Sequence, residues 1–365
     1  MHIGIDASAW HNQRGLGRYL RSIAKHLAEQ PEVDLTLFAP MELGEAKPTY
    51  CSAVEDSGLG PWLSWRLPRL VRQNPVDVMF FPTNDAWWHG PAPMVVTVHD
   101  LAAVHFADRI FRSRWEAWLE IARLRHTVRQ ASMIVTDSAA TKDDLVQTLG
   151  CPADKVTPVP LAVSPPFLCP SSVSIEEMQA TIGLPSRPYI LYAGGLDFRK
   201  NVSALIEAFM SLVPEHPEHM LILVGEYGAN RRYYPDLDPL LHSPELAGRA
   251  LRLSNVNDER LHALYTHADL FVFPSLFEGF GLPPLEAMAC GTPVVCSNAA
   301  SLPEVVGDAA ELVDARSTGN LADGMRRVLG DPDWATELRQ RGLARAKQFS
   351  WEKAAEQLVE ALRAN

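Results

Sequence analysis

Glu278 and Glu286 are two carboxylates eight residues apart, with Gly279-Phe280-Gly281-Leu282-Pro283-Pro284 between them. An apolar run, Leu270-Phe271-Val272-Phe273-Pro274, comes before them and reads as a buried strand. The predicted order is strand, glycine-rich turn, helix N-terminus. One acid falls in the loop and the other in the first helical turn. Pro283 or Pro284 suits the first helical position, where a missing N–H costs nothing. The N–H groups of Phe280, Gly281 and Leu282 are then expected to point off the helix end, a ready site for an anion. A carboxylate at such a junction needs polar partners, and sugar hydroxyls are suitable ones. A helix dipole alone would also place Glu286 there, but it explains neither Glu278 nor the Gly-Phe-Gly.

Three other loops come after apolar runs. Ala193-Gly194-Gly195-Leu196-Asp197-Phe198-Arg199-Lys200-Asn201 leads into a helix expected at Val202, with Asn201 as its N-cap. Arg199 offers a fork of donors and Lys200 a point charge, a pairing that suits a diphosphate; a solvated charge pair is the plainer alternative. Val98-His99-Asp100-Leu101 puts a His-Asp pair at a strand's carboxyl end, where catalytic residues gather, although a core histidine bonded to backbone would read the same way. After the first strand, Trp10 to Tyr19 contains Gly15-Leu16-Gly17, which either lets backbone approach a phosphate or makes a tight turn into a helix. Leu20 stands where a third glycine would complete a dinucleotide fingerprint, so a nicotinamide site is disfavoured. Asp236-Leu237-Asp238 has no strand before it and reads as a surface loop rather than a metal site.

These loops need a scaffold of alternating strands and helices. The predicted strands of the first half are His2–Asp6, Asp34–Phe38, Asp77–Phe81, Met94–His99, Met133–Thr136 and Val156–Val159, with helices such as Arg18–Gln30 and Arg114–Gln130. Five prolines between Pro158 and Pro170 break the pattern, and a linker is expected near residues 162–175. Strands resume at Tyr189–Ala193, Met220–Val224, Leu270–Phe273, Pro293–Cys296 and Ala310–Val313. The fold class is α/β, with two Rossmann-like doubly wound domains at 1–168 and 175–350. A last helix in 351–365, with a stripe of Ala354, Ala355, Leu358 and Leu362, is expected to pack back on the first domain.

Composition narrows the partners. At 365 residues and 47% hydrophobic, the chain can bury two cores. A formal charge of −11 disfavours nucleic acid. Residues 1–170 hold 16 Lys and Arg against 18 Asp and Glu, and the remainder holds 17 against 26, so the first half is better suited to approach an anionic surface. It also carries Trp62, Trp65, Arg66, Arg69, Arg72, Trp87, Trp88, Arg109, Arg112, Arg114, Arg123, Arg125 and Arg129. Such residues fit ordinary helix faces or an anionic membrane. Five cysteines without CxxC spacing fit reduced thiols, and the histidines do not cluster with them as zinc ligands. Met1-His2-Ile3-Gly4-Ile5-Asp6 does not read as a signal peptide and no apolar run is long enough to span a bilayer. A cytoplasmic protein, peripheral on the inner face of the plasma membrane, is the expectation.

The spacing of Glu278 and Glu286 in Phe277-Glu278-Gly279-Phe280-Gly281-Leu282-Pro283 resembles the E-x7-E signature of retaining GT-B glycosyltransferases of the family 4 type. Gly291-Thr292-Pro293-Val294-Val295 and Leu302-Pro303-Glu304-Val305-Val306-Gly307-Asp308 are similar to that family's segments downstream of the signature, and Phe349-Ser350-Trp351 resembles its returning helix. The resemblance implies two domains facing a central cleft. It implies that Glu278 holds the donor sugar, that the N–H groups of Phe280, Gly281 and Leu282 contact sugar and diphosphate, and that Glu286 binds the ribose. Arg199 and Lys200 would grip the diphosphate, and Val256 and Asp258 would lie by the base. Gly15 and Gly17 would cover the phosphates, and His99 and Asp100 would face the reacting sugar. Many members carry Gly-Arg where this chain has Gly194-Gly195, so the arginine's role passes to Arg199.

The implied reaction is metal-independent transfer of a hexose with retention, with no cofactor beyond the nucleotide diphosphate sugar. The leaving phosphate would take the acceptor's proton. The loops resemble the mannosyltransferase branch, which points to GDP-mannose, with a glycan or lipid-linked glycan as acceptor. The rivals are a UDP-sugar donor, a nucleotide-sugar 2-epimerase of the same architecture, and an inactive binding subunit. The last should have lost Glu278, Glu286 or Lys200, and all three are present.

Overall fold

The computed structural model describes residues 1–365 apart from 13, 14, 85, 87, 88, 169–172, 185, 229, 231, 247 and 365. Trp87 and Trp88 lie outside the described residues. The chain divides into two compact units, Met1–Ala162 with Phe349–Asn365, and Val163–Gln348. Residues 163–168, expected in the first domain, belong to the second. There the buried Phe167 ring packs edge-on against His262 and Tyr265, each 5.9 Å away between centroids.

In the first unit the strands are β1 (His2–Asp6), β2 (Asp34–Ala39), β3 (Ser52–Glu55), β4 (Val78–Phe81), β5 (Met94–Val98), β6 (Met133–Thr136) and β7 (Val156–Pro158). All pair in parallel, in the order β3-β2-β1-β4-β5-β6-β7. In the second unit β8 (Tyr189–Ala193), β9 (Met220–Val224), β10 (Ala250–Leu253), β11 (Leu270–Phe273), β12 (Val294–Ser297) and β13 (Glu311–Val313) pair in the order β10-β9-β8-β11-β12-β13. Both sheets are doubly wound. The strand order reverses between β1 and β4, and again between β8 and β11. Ligands of open α/β sheets bind at the carboxyl ends of strands beside such reversals.

Continuous apolar runs explain why the central strands are buried on both faces. β3 and β10 were not expected, because each is an outer strand, largely half-buried, and neither carries such a run. The helix Trp351–Ala364 belongs to the first unit. Its Trp351 packs toward Tyr19, with centroids 6.1 Å apart, and Glu352 lies 3.3 Å from His26. Among the described residues, no helix is long and apolar enough to cross a membrane.

Candidate active site

Two loops at the second unit's reversal point are stitched together by backbone and side-chain bonds. After β8, Asp197 Oδ1 accepts from Arg199 N at 3.2 Å and from Arg199 Nε at 3.0 Å. Asn201 turns the chain at φ 55° into the helix Val202–Leu212. It does not cap that helix with its side chain as expected; instead Nδ2 donates to Ala315 O at 2.7 Å. After β11, Leu276 N and Ser275 Oγ both donate to Arg199 O, at 2.7 and 3.2 Å.

This stitching brings Lys200 and Glu278 together. Lys200 Nζ donates to Glu278 Oε1 at 2.5 Å, and the ammonium lies 5.5 Å from the centroid of the Phe273 ring. The two side chains are only 14% and 12% exposed. A charge-assisted bond in such surroundings is stronger than one in water. Arg199 is matched differently. Its guanidinium is bound to Asp197 and lies 5.6 Å from the Tyr233 ring.

Ser301 Oγ donates to the carbonyls of Glu278 and Phe280, at 3.0 and 2.6 Å, and so fixes the loop. Gly281 enters the helix Leu282–Ala289 at φ 124°, and a Cβ there would meet Leu302 Cδ2 at 2.7 Å. Glycine is therefore required at this turn. Pro283 and Pro284 occupy the second and third helical positions rather than the first, and Glu286 the fifth, outside the first turn. A dipole effect confined to the first turn does not account for it. Glu286 is 4% exposed and accepts from Tyr265 Oη at 3.2 Å. Val256 and Asp258 sit after β10, where Asn257 caps the helix Asp258–His267. Asp236 and Asp238 are exposed, and the Asp236 carboxylate accepts from Asp238 N at 3.1 Å to close a turn.

In the first unit, His99 comes directly after β5 and meets Asp137 after β6, Nδ1 to Oδ2 at 2.7 Å. Burial opposes charge on the ring. The Asp137 carboxylate, its hydrogen bond, the Pro82 carbonyl and Asp100 outweigh that and lift the His99 pKa to about 9. The Tyr19 and His99 rings meet at right angles, with centroids 5.0 Å apart. Asp100 Oδ1 accepts from Ala102 N at 2.9 Å and so starts a short helical turn. Gly15 and Gly17 do not form a loop; they lie in the first turn of the helix Gly15–Ala28. Gly17 is required by packing, because a Cβ would fall 1.9 Å from Asn12 O.

At the first unit's reversal point lies an open cavity of about 770 Å³, lined by Asp6, Ser8, Trp62, Thr83 and Arg123 among others. Trp62 Nε1 and Ser8 Oγ donate to Asp6, at 2.8 and 2.9 Å. Burial raises the Asp6 carboxyl pKa while these bonds pull it down. Elsewhere on this unit, Trp115 and Trp118 stack at 4.9 Å and are 69% and 57% exposed. The basic residue Arg66 is tied to Asp56 at 3.2 Å and lies over Trp62.

Sequence reasoning missed Asp6 as a cavity residue, Asp137, and the exposed Trp115 and Trp118. Asp137 was findable, since it directly succeeds the apolar run Met133–Thr136 and precedes the helix-capping Ser138.

Two doubly wound domains, each with loops gathered at the carboxyl ends of its strands, are the architecture of the GT-B fold. The description "Glycosyltransferase Family 4" matches residues 13–166 and "Glycosyl transferases group 1" matches residues 174–349. The chain belongs to this glycosyltransferase family. It is 32% identical over 375 residues to the O-antigen chain mannosyltransferase B of Escherichia coli, covering 95% of each chain. It is 30% identical over 284 residues to the D-inositol 3-phosphate glycosyltransferase of Nocardia farcinica, covering 76% of this chain and 62% of that one. The fold is similar to Anabaena HepE, solved in complex with UDP and glucose, at a TM-score of 0.80, 20% identity and full coverage of both chains.

Proposed function

We propose that this chain transfers mannose from GDP-mannose to a glycan or lipid-linked glycan, with retention at the anomeric carbon and without a resident metal. The observation that carries this reading is the Lys200–Glu278 pair at the second unit's reversal point. The sugar–phosphate bond breaks toward the diphosphate, which gains negative charge. Lys200 and the amino end of the helix Leu282–Ala289 are suited to stabilise that charge by preorganised electrostatics. Glu278 then exchanges its lysine for hydroxyls of the transferred sugar. The acceptor hydroxyl forms the new bond to the anomeric carbon, and its proton passes to a departing phosphate oxygen.

In this reading Glu286, fixed by Tyr265, holds the ribose, and Val256 and Asp258 flank the base. The cavity of Asp6, Ser8 and Trp62 receives the acceptor, since an indole face with polar neighbours suits a sugar ring. The identity to O-antigen chain mannosyltransferase B over 95% of the chain supports mannose. The exposed Trp115–Trp118 stack beside Arg112 and Arg114 supports contact with anionic lipid, since amphipathic indoles and arginines favour that interface.

The test incubates the purified chain with GDP-mannose or UDP-glucose and a soluble glycan, with and without chelator. Product anomers are read by NMR and nucleotide binding by thermal shift. Transfer from GDP-mannose with retention, unaffected by chelator, is expected. A preference for UDP overturns the donor, an inverted product overturns retention, and epimerisation without acceptor overturns transfer itself. Sedimentation with phosphatidylglycerol vesicles tests the surface. Binding that does not depend on anionic lipid removes the membrane assignment.

A further inference from the structure

Arg199 and Lys200 are neighbours in the chain, yet their charges are matched in different ways. Glu278, the partner of Lys200, comes from the loop after β11, seventy-eight residues on. Two side chains on separate loops can part by turning about their own bonds. Asp197, the partner of Arg199, lies two residues away in the same turn. Its Oδ1 also accepts from Arg199 N at 3.2 Å, and it caps the helical turn Phe198–Lys200. A carboxylate fixed in this way stays in place. The Asp197 and Arg199 side chains are 6% and 13% exposed, so a guanidinium that left would strand a buried charge.

A second hold comes from the loop after β9. Tyr233 O accepts from Phe198 N at 2.9 Å, and the Tyr233 and Phe198 rings meet nearly at right angles with centroids 5.3 Å apart. The Tyr233 ring stands 5.6 Å from Arg199 Cζ, a distance at which a cation is drawn to an aromatic face. The backbone is tied at the same residue, because Arg199 O accepts from Leu276 N and Ser275 Oγ. Lys200 N in turn donates to Asp197 O at 3.0 Å. With three residues to a 3₁₀ turn, successive side chains leave it about 120° apart. A turn locked at Arg199 therefore fixes the direction in which Lys200 sets out.

We propose that Arg199 is a positioning residue and not a ligand of the diphosphate: clamped between Asp197 and Tyr233, it holds the turn that aims Lys200. The inference rests on the glycosyltransferase reading above. It sets aside the grip on the diphosphate that the family resemblance implies for Arg199. Of the two cations in residues 194–201, Lys200 alone then meets the donor.

The test uses the full-length chain with GDP and GDP-mannose, and with UDP and UDP-glucose should those bind instead. Arg199→Gln should lower kcat about tenfold to a hundredfold, as a mis-aimed group does. In a Lys200→Met background the same change should cost less than about twofold, because a residue that acts through Lys200 has nothing left to aim. A larger loss in that background overturns the proposal. Asp197→Asn, which frees the guanidinium, should lose turnover as Arg199→Gln does. A tighter GDP Kd with unchanged kcat in Asp197→Asn overturns the proposal too. In the labelled wild type, the NMR contact between Arg199 Nε–H and the Tyr233 ring should persist when nucleotide saturates the chain. Should the variants fail to fold, that contact alone decides. A chain that binds and transfers while nucleotide breaks the contact overturns this inference and leaves the proposed function standing. A chain that binds neither nucleotide overturns the proposed function and the role in it together.

Discussion

Lys200 and Glu278, seventy-eight residues apart in the chain, form one ion pair at 2.5 Å where the second sheet reverses its order. Each is the other's charge compensation. Removing one partner leaves a mostly buried charge alone. Lys200→Met and Glu278→Gln are each expected to destabilise the fold by about 1–3 kcal/mol. The double variant should recover part of that loss, the mark of direct coupling. Activity should behave otherwise. Lys200→Met is expected to lower turnover about a hundredfold, and the double variant should not regain it. Denaturant melts and kcat on the same four proteins check this. Full recovery of turnover in the double variant would make the pair structural only.

The two glycines near the start of the chain separate packing from phosphate contact. Gly17→Ala drives a methyl into Asn12 O and should destabilise by about 1–3 kcal/mol. At Gly15 a Cβ would meet nothing within 4 Å, and the residue lies in a helix, so Gly15→Ala should be neutral or stabilise by up to ~1 kcal/mol. Thermal melts read the stability. A raised donor KM in Gly15→Ala with an unchanged melt would assign that residue to the phosphates after all.

Much of the fold was written in the apolar runs. β6, β8, β9 and β11 stand where Ile134, Ile190, Leu221 and Val272 and their neighbours form unbroken hydrophobic stretches. β3 and β10 were not legible, because an outer strand buries too little to need such a run. At the site, single residues could be proposed but their pairings could not. Lys200 was visible beside a helix start and Glu278 in its loop, yet their bond depends on Leu276 and Ser275 both reaching Arg199 O. Asp137 illustrates the same limit. Its type and place were ordinary, and only the return of β6 beside β5 puts it against His99.

The His99–Asp137 pair also predicts how stability depends on pH. The ring's folded pKa is about 9, above the ordinary value of about 6.5 for an unfolded chain. A raised histidine pKa stabilises fully below about pH 6.5 and loses that contribution as pH rises through about 9. The unfolded carboxyl is ionised throughout this window. The melting temperature of the wild type should therefore fall from pH 6.5 to 9 more steeply than that of His99→Gln. Parallel curves for the two proteins would show that the pair holds no extra proton in the folded state.

Tyr265 offers a way to tell ribose binding from a structural role for Glu286. Its hydroxyl bonds Glu286 Oε2 at 3.2 Å, and both residues are buried in the second unit. Tyr265→Phe keeps the ring that packs edge-on against Phe167 and Phe271, at 5.9 and 5.2 Å, and removes only the donor. The remaining carboxylate oxygen is then less firmly aimed. If Glu286 holds the ribose equally in ground and transition states, the loss falls on uniform binding, so the donor KM should rise severalfold while kcat stays near normal. The cost in stability should be about 1 kcal/mol, one neutral hydrogen bond's usual net worth. A variant with that stability loss and an unchanged KM would mean that Glu286 anchors the helix Leu282–Ala289 and does not touch the nucleotide.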